Sequence, residues 1–157
     1  MLIMNSTLAS ARKDIMILKS ILENLGFLIN MEKSIFVPEQ IIKFLGIIMD
    51  STTMRFLLPD KKVAGIQKKC HHLVSSQVTS LSQLSHIIGK LTSCKTAVLQ
   101  ASLHYRGIQH LKNSNMFPQV VNNLTIPLDP HALEDLRWWV DNLYLANGPP
   151  IRIPFHI

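Results

Sequence analysis

The sequence predicts an α+β fold, in which one helix and a few short antiparallel strands precede a mostly helical bundle. Three observations predict it. Residues 8–25 carry apolar side chains at helical spacing, residues 27–58 switch to short β-branched and aromatic runs, and a helical period returns beyond Pro59.

The first helix is expected over 8–25, with Ala11, Ile15, Leu18, Leu22 and Leu25 on one stripe and Gly26 where a C-terminal cap belongs. Strands are expected at Phe27-Leu28-Ile29, Ser34-Ile35-Phe36-Val37 and 41–49. A turn at Asp50-Ser51-Thr52-Thr53 then returns Met54–Leu58 as a hairpin partner. Losing any neighbouring strand would leave an open sheet edge near 1–5 and 41–49. Asp60 is the expected N-cap of the second helix, whose inward face is Val63, Ile66, Cys70, Leu73 and Val74. Ser80-Leu81-Ser82-Gln83 has the form of a capping box and opens a third helix with Leu81, Leu84, Ile87, Ile88 and Leu91 inward. A fourth helix is expected over 96–112. After a polar connection, Asp129-Pro130 opens the last helix, Asp as cap and Pro in the first turn, running to Ala146 before Gly148. Residues 149–154 read as an extended linker.

At 157 residues with 47% apolar content, the chain is long enough to build a core. No apolar run approaches the ~18 to 20 residues of a membrane span, and the first residues lack a signal-peptide pattern, so an intracellular protein, cytoplasmic or nuclear, is expected. Cys70 and Cys94 form no Cys-x-x-Cys pair and no disulfide framework. Cys70-His71-His72 with Cys94 and His104 match no standard zinc spacing, so no metal site is expected.

The formal net charge of +6 is concentrated in the middle of the chain. From Lys61 to Leu128 there is no Asp or Glu, yet Lys61, Lys62, Lys68, Lys69, Lys90, Lys95, Arg106 and Lys112 fall there. Such a field suits a polyanion, because each cation that neutralises a phosphate releases counterions. On charge alone, a solvated basic surface explains it equally well.

Three segments in order carry a family resemblance: Leu25-Gly26-Phe27-Leu28-Ile29-Asn30-Met31-Glu32-Lys33-Ser34, then Lys43-Phe44-Leu45-Gly46-Ile47, then the stretch from Ser80 to Thr92 with its Ile88-Gly89-Lys90-Leu91 centre. Together they resemble the reverse transcriptases of retroelements, most closely those of DIRS-type and related long-terminal-repeat retrotransposons. Leu103-His104-Tyr105-Arg106 and Trp138-Trp139 are also similar to the thumb and connection of that group. The resemblance implies the C-terminal part of a palm with its primer-grip hairpin at 1–58 and a helical thumb and connection at 59–147. It implies a linker toward an RNase H-like domain at 148–157. The implied activity is RNA-directed DNA synthesis, a nucleotidyl transfer, with an RNA–DNA or DNA duplex as partner and no membrane.

The resemblance also assigns residues. Phe44, Leu45 and Gly46 would form the primer grip through their backbone, where a rigid hairpin positions a reacting terminus, while the Phe44 and Leu45 side chains read rather as hairpin core. Gln83, His86, Gly89, Lys90 and Ser93 would track the minor groove, which hardly distinguishes base pairs and so allows grip without sequence preference. From the charge field, Lys61, Lys62, Lys68 and Lys69 would meet phosphates, and by the resemblance Lys33 would be an accessory general acid toward departing pyrophosphate. The family's Tyr-x-Asp-Asp turn does not occur, and Met1–Asn5 resembles the strand that follows it. The chain is therefore expected to be catalytically incomplete and to need no cofactor itself. The complete enzyme would use Mg2+, with the rest of fingers, palm and RNase H-like portions as partners. The alternative class is a non-catalytic basic helical module that binds nucleic acid or a protein.

Overall fold

A computed structural model of the chain describes residues 1–116 and 125–150. Helix α1 spans Leu8–Asn24. A three-stranded antiparallel meander follows, with β1 at Ile41–Phe44, β2 at Ile47–Asp50 and β3 at Arg55–Leu57, in the order β1-β2-β3. Helix α2 spans Asp60–Ser76, the two-residue strand β4 Val78–Thr79, and α3 Leu81–Thr92. A 3-10 turn at Leu99–Ser102 leads to α4 at Arg106–Ser114. Strand β5, Ile126–Pro127, pairs antiparallel with β4, and α5 closes the order at Pro130–Ala146. Five helices and two small antiparallel sheets among the described residues make an α+β chain.

Helix starts follow the sequence chemistry closely. Thr7 caps α1 through a hydrogen bond from Ser10 N, Ser80 and Gln83 form a reciprocal capping box on α3, and Asp129 accepts from Ala132 N at α5. Gly26 adopts φ +80 just past α1, the left-handed conformation expected of a C-terminal glycine. Helix α2 departs from expectation, because Asp60 is already its first helical residue. Pro59 holds the cap position with no side-chain hydrogen bond, so Asp60 acts only as a first-turn charge favourable to the helix dipole.

Other expectations are corrected where a pattern lacked a partner. Residues 27–29 and 34–37 are not strands, since strand backbone needs a neighbour to satisfy its N–H and C=O groups and propensity alone supplies none. Met31 and Phe36 instead face α1, where they line a shallow groove with Arg12, Ile15, Met16 and Lys19. No residue of α1 is fully buried, so its apolar stripe is not a core face. The run at 41–49 folds back on itself at Leu45-Gly46, pairing Phe44 with Ile47, and the expected Asp50 turn joins β2 to β3. β1 is an outer strand of the sheet, as expected for 41–49, whereas residues 1–5 are not strand. The single helix expected over 96–112 is broken, because Tyr105 adopts φ −143 and only Arg106 onward is α-helical. The linker's residues 151–154, and residues 117–124 of the polar connection, lie outside the described residues.

The core sits between α2, α3, α4 and α5. Helix α5 buries Ala132, Leu136, Trp139 and Leu143 against Val63, Ile66, Cys70 and Leu73 of α2 and Ile108 of α4. Leu84, Ile87 and Leu91 of α3 complete the cluster. Two polar devices fix the arrangement. The Asn147 carboxamide accepts from Leu58 N at 2.7 Å and donates to Leu58 O at 3.1 Å, clasping the chain at the entrance to α2. The buried Asp135 carboxylate accepts from Gly107 N at 2.8 Å, so α5 caps α4 from outside. Burial pushes the Asp135 carboxyl above its ordinary value, against the opposing effect of the two backbone N–H groups.

Two glycines allow a paired test of this packing. A Cβ on Gly107 would stand 2.7 Å from the backbone carbonyl of His131, whereas one on Gly65 of α2 meets nothing within 4 Å. Gly107→Ala is expected to destabilise by about 1–3 kcal/mol through overpacking, and Gly65→Ala to stabilise by up to ~1 kcal/mol through helix propensity. Urea unfolding of the two variants checks the opposite signs.

The β2–β3 turn makes a second prediction. Asp50 accepts hydrogen bonds from the backbone N–H and hydroxyl groups of Thr52 and Thr53, which lower its pKa from 3.8 to about 2. A carboxylate with a depressed folded pKa contributes stability above its unfolded value and loses it as pH falls through the folded one. The turn is therefore expected to hold above pH 4 and loosen toward pH 2. A carboxyl NMR titration of Asp50 in wild type and in Thr53→Ala, where the midpoint should rise, checks it.

Candidate nucleic-acid interface

The candidate residues are assembled by two helices and one hairpin. The β1–β2 turn consists of Leu45 at φ +49 and Gly46 at φ +76, the two left-handed positions of a tight two-residue hairpin. Only at Gly46 is that conformation free of steric cost. A leucine there costs on the order of 1 kcal/mol, and Leu45 is 84% exposed. Its side chain is thus not hairpin core, while Phe44 beside it is half-buried.

Helix α2 presents its basic residues on two stripes. Lys62 and Lys69, seven apart, lean toward α3, while Lys61, Gly65, Lys68 and His72 form an exposed stripe at three- and four-residue spacing. Lys62 Nζ lies 3.4 Å from the carbonyl oxygen of Ser93, and an added Cβ on Gly46 would be 3.8 Å from the same ammonium. The hairpin tip, the start of α2 and the end of α3 therefore meet at Lys62. One step further along, Lys69 Nζ and His86 Nε2 are 2.7 Å apart. A lysine ammonium has only donors, so His86 accepts here through an unprotonated Nε2. These two contacts pair position 62 with 93 and 69 with 86, which makes α2 and α3 antiparallel neighbours and brings Gly89 between them along α3.

Around these contacts the polar residues differ in freedom. Gly89 is exposed with open space above it. Gln83 is partly committed, because its Oε1 accepts from Ser80 N at 3.0 Å. Ser93 Oγ donates to Lys90 O at 2.7 Å. Lys33 stands apart from the cluster, exposed on a turn in which its backbone N–H donates to Asn30 Oδ1. Among the described residues the only ion pair is Lys19 with Glu23 on α1, so no carboxylate neutralises the lysines of α2 and α3. No group of three His, Cys, Asp or Glu side chains is placed to hold a metal among those residues, and no described helix is long and apolar enough to cross a membrane.

The chain matches no protein-family model, no curated protein and no solved structure.

Two features escaped sequence reasoning. Lys62 touches both the hairpin tip and the end of α3, a three-way meeting that pairwise spacing cannot show. Lys95 and Arg106 converge on Tyr105, which was hidden because 96–112 reads as one unbroken helix. Beneath the face lie Cys70 and Cys94, both fully buried and free. Burial pushes the Cys70 thiol up to about 12, and burial raises Cys94 against the opposing ammonium groups of Lys62 and Lys90. Neutral thiols are poor nucleophiles. Neither cysteine is expected to react with a thiol-specific disulfide reagent at neutral pH until denaturant is added, when both should titrate.

Proposed function

We propose that this chain is the end of the palm and the thumb of a retroelement reverse transcriptase, and that it holds the primer–template duplex. The observation that carries the reading is the meeting of two resembling segments at one lysine: Gly46 of the grip-like hairpin and Ser93, at the end of the thumb-like α3, both lie beside Lys62. Ordered resemblance along a sequence predicts such a meeting, since a primer terminus has to be gripped where the duplex is tracked. The unpaired cations Lys61, Lys62, Lys68, Lys69 and Lys90 supply the phosphate affinity, and Gly89 and His86 supply a face of low relief beside them. In this reading Leu45 and Gly46 meet the strand terminus chiefly through backbone, and Lys33 assists departing pyrophosphate once a complete active site surrounds it.

Four of the chain's aspartates are engaged elsewhere. Asp14 is bonded to Asn5, Asp50 holds the β2–β3 turn, Asp129 caps α5 and Asp135 caps α4. In this reading the chain binds without polymerising, because the Tyr-x-Asp-Asp turn that would hold magnesium in the resembled family does not occur in it.

The test is binding of the purified chain to a fluorescently labelled RNA–DNA hybrid across a salt series, beside a variant with Lys61, Lys62, Lys68, Lys69 and Lys90 all changed to Gln. Wild type is expected to bind at low salt with a steep salt slope, each lost phosphate contact reducing the slope by roughly 0.9. A folded wild type that fails to bind at low salt, or a variant that binds with the same slope, refutes the reading.

A further inference from the structure

Beyond the end of α3 the chain builds a second group of cations around a buried ring. Lys95 Nζ donates to the Tyr105 hydroxyl at 3.1 Å and stands 5.0 Å from the ring centroid, and the Arg106 guanidinium carbon is 5.4 Å from the same centroid. Tyr105 is only 6% exposed, whereas Lys95 and Arg106 are exposed. A fixed ring therefore holds two flexible side chains while leaving their charges in water. The Lys95 hydrogen bond also draws the Tyr105 phenol below its ordinary value.

The nearby acids do not neutralise the pair. Glu134 and Asp135 line a cleft with Arg106, His110 and His131, yet neither forms an ion pair with Arg106. The Asp135 carboxylate is taken by the N–H groups of Gly107 and Ile108. Two like charges gathered on one ring repel, and an anion seated between them turns that repulsion into attraction. Because the ring already orders both side chains, little of their rotamer entropy remains to be lost on binding.

We propose that Lys95 and Arg106, positioned by Tyr105, form a second phosphate site that takes a backbone phosphodiester of the nucleic acid held on the α2–α3 face. The inference rests on that reading of the face. Lys95 follows Ser93 by two residues, so the site continues the track of His86, Gly89, Lys90 and Ser93 around the end of α3. It adds a contact on a different element, the start of α4.

The experiment compares wild type, Lys95→Gln/Arg106→Gln and Tyr105→Phe for binding of the same labelled RNA–DNA hybrid across a salt series, with thermal unfolding as a control. Both charged residues are exposed, so the double variant is expected to unfold as wild type does. Its log K against log salt slope should become shallower by between about 1 and 2, with weaker binding at low salt. Tyr105→Phe keeps the ring but frees Lys95, and a smaller loss of affinity is expected. An unchanged slope in the double variant, whether or not affinity falls, overturns the second site while the α2–α3 face stands. Absence of wild-type binding at low salt overturns the face and the second site together.

Discussion

The position of α2 is the constraint on which the rest of the structure depends. Its entrance is clasped by Asn147, which satisfies both the N–H and the C=O of Leu58. Midway, Gln67 Nε2 donates to Val140 O at 2.9 Å, and Val63, Ile66, Cys70 and Leu73 are buried along its inner face. A backbone amide left unpaired at a half-buried junction costs about 1–3 kcal/mol, so the clasp opposes rotation of α2 as well as its separation from α5. Lys62 and Lys69 inherit their direction from this fixing. The same closure is reinforced where Gly148, at φ +78, donates to Ala97 O and accepts from Arg55 Nη1.

The exposed face of α2 and α3 carries positive charge that no carboxylate among the described residues offsets. A soluble helix commonly offsets its lysines with glutamates at four-residue spacing. Helix α1 does so once, with Lys19 and Glu23 at 3.8 Å. Between Lys61 and Leu128 the chain contains no acid to play that part. The cations there bond instead to neutral acceptors: Lys62 to a carbonyl, Lys69 to an imidazole, Lys95 to a phenol. Such contacts orient a positive charge without cancelling it, and they leave a field available to an external anion.

How far the sequence could be read depended on whether a signal was local. Capping is local, and the Ser80–Gln83 box and the Asp129 cap formed as their side chains required. Inward faces set by helical period held on α2 and on α3, where Leu84, Ile87 and Leu91 are buried as a unit, but not on α1, whose stripe lies outside the core. Strand formation is not local, and the apolar runs at 27–29 and 34–37 stayed irregular without partners. Residues 96–112 failed for a related reason. Their apolar period is compatible with one helix, but Trp139 donates its indole N–H to His104 O and α5 packs its backbone against Gly107, and these tertiary contacts impose a break at Tyr105. At the candidate interface the residue types were legible and their meeting was not, since the Lys69–His86 contact joins residues seventeen positions apart on two helices.

Rigidity is unevenly distributed, and the distribution follows the candidate interface. Among the described residues every buried apolar side chain lies between Ile47 and Leu143, whereas α1 and the segment after it leave Met16, Leu25, Phe27 and Leu28 exposed. Local stability tracks buried contacts, so opening of the first forty residues requires far less free energy than opening of the bundle. Lys62, Lys69, Lys90, Lys95 and Arg106 are all anchored in the well-packed part. The spacing of these charges is held by the helices that carry them, whose inner faces form one continuous core, because moving a helix by one step would expose Leu84, Ile66 or Trp139 to water, at about 2 kcal/mol or more for each side chain.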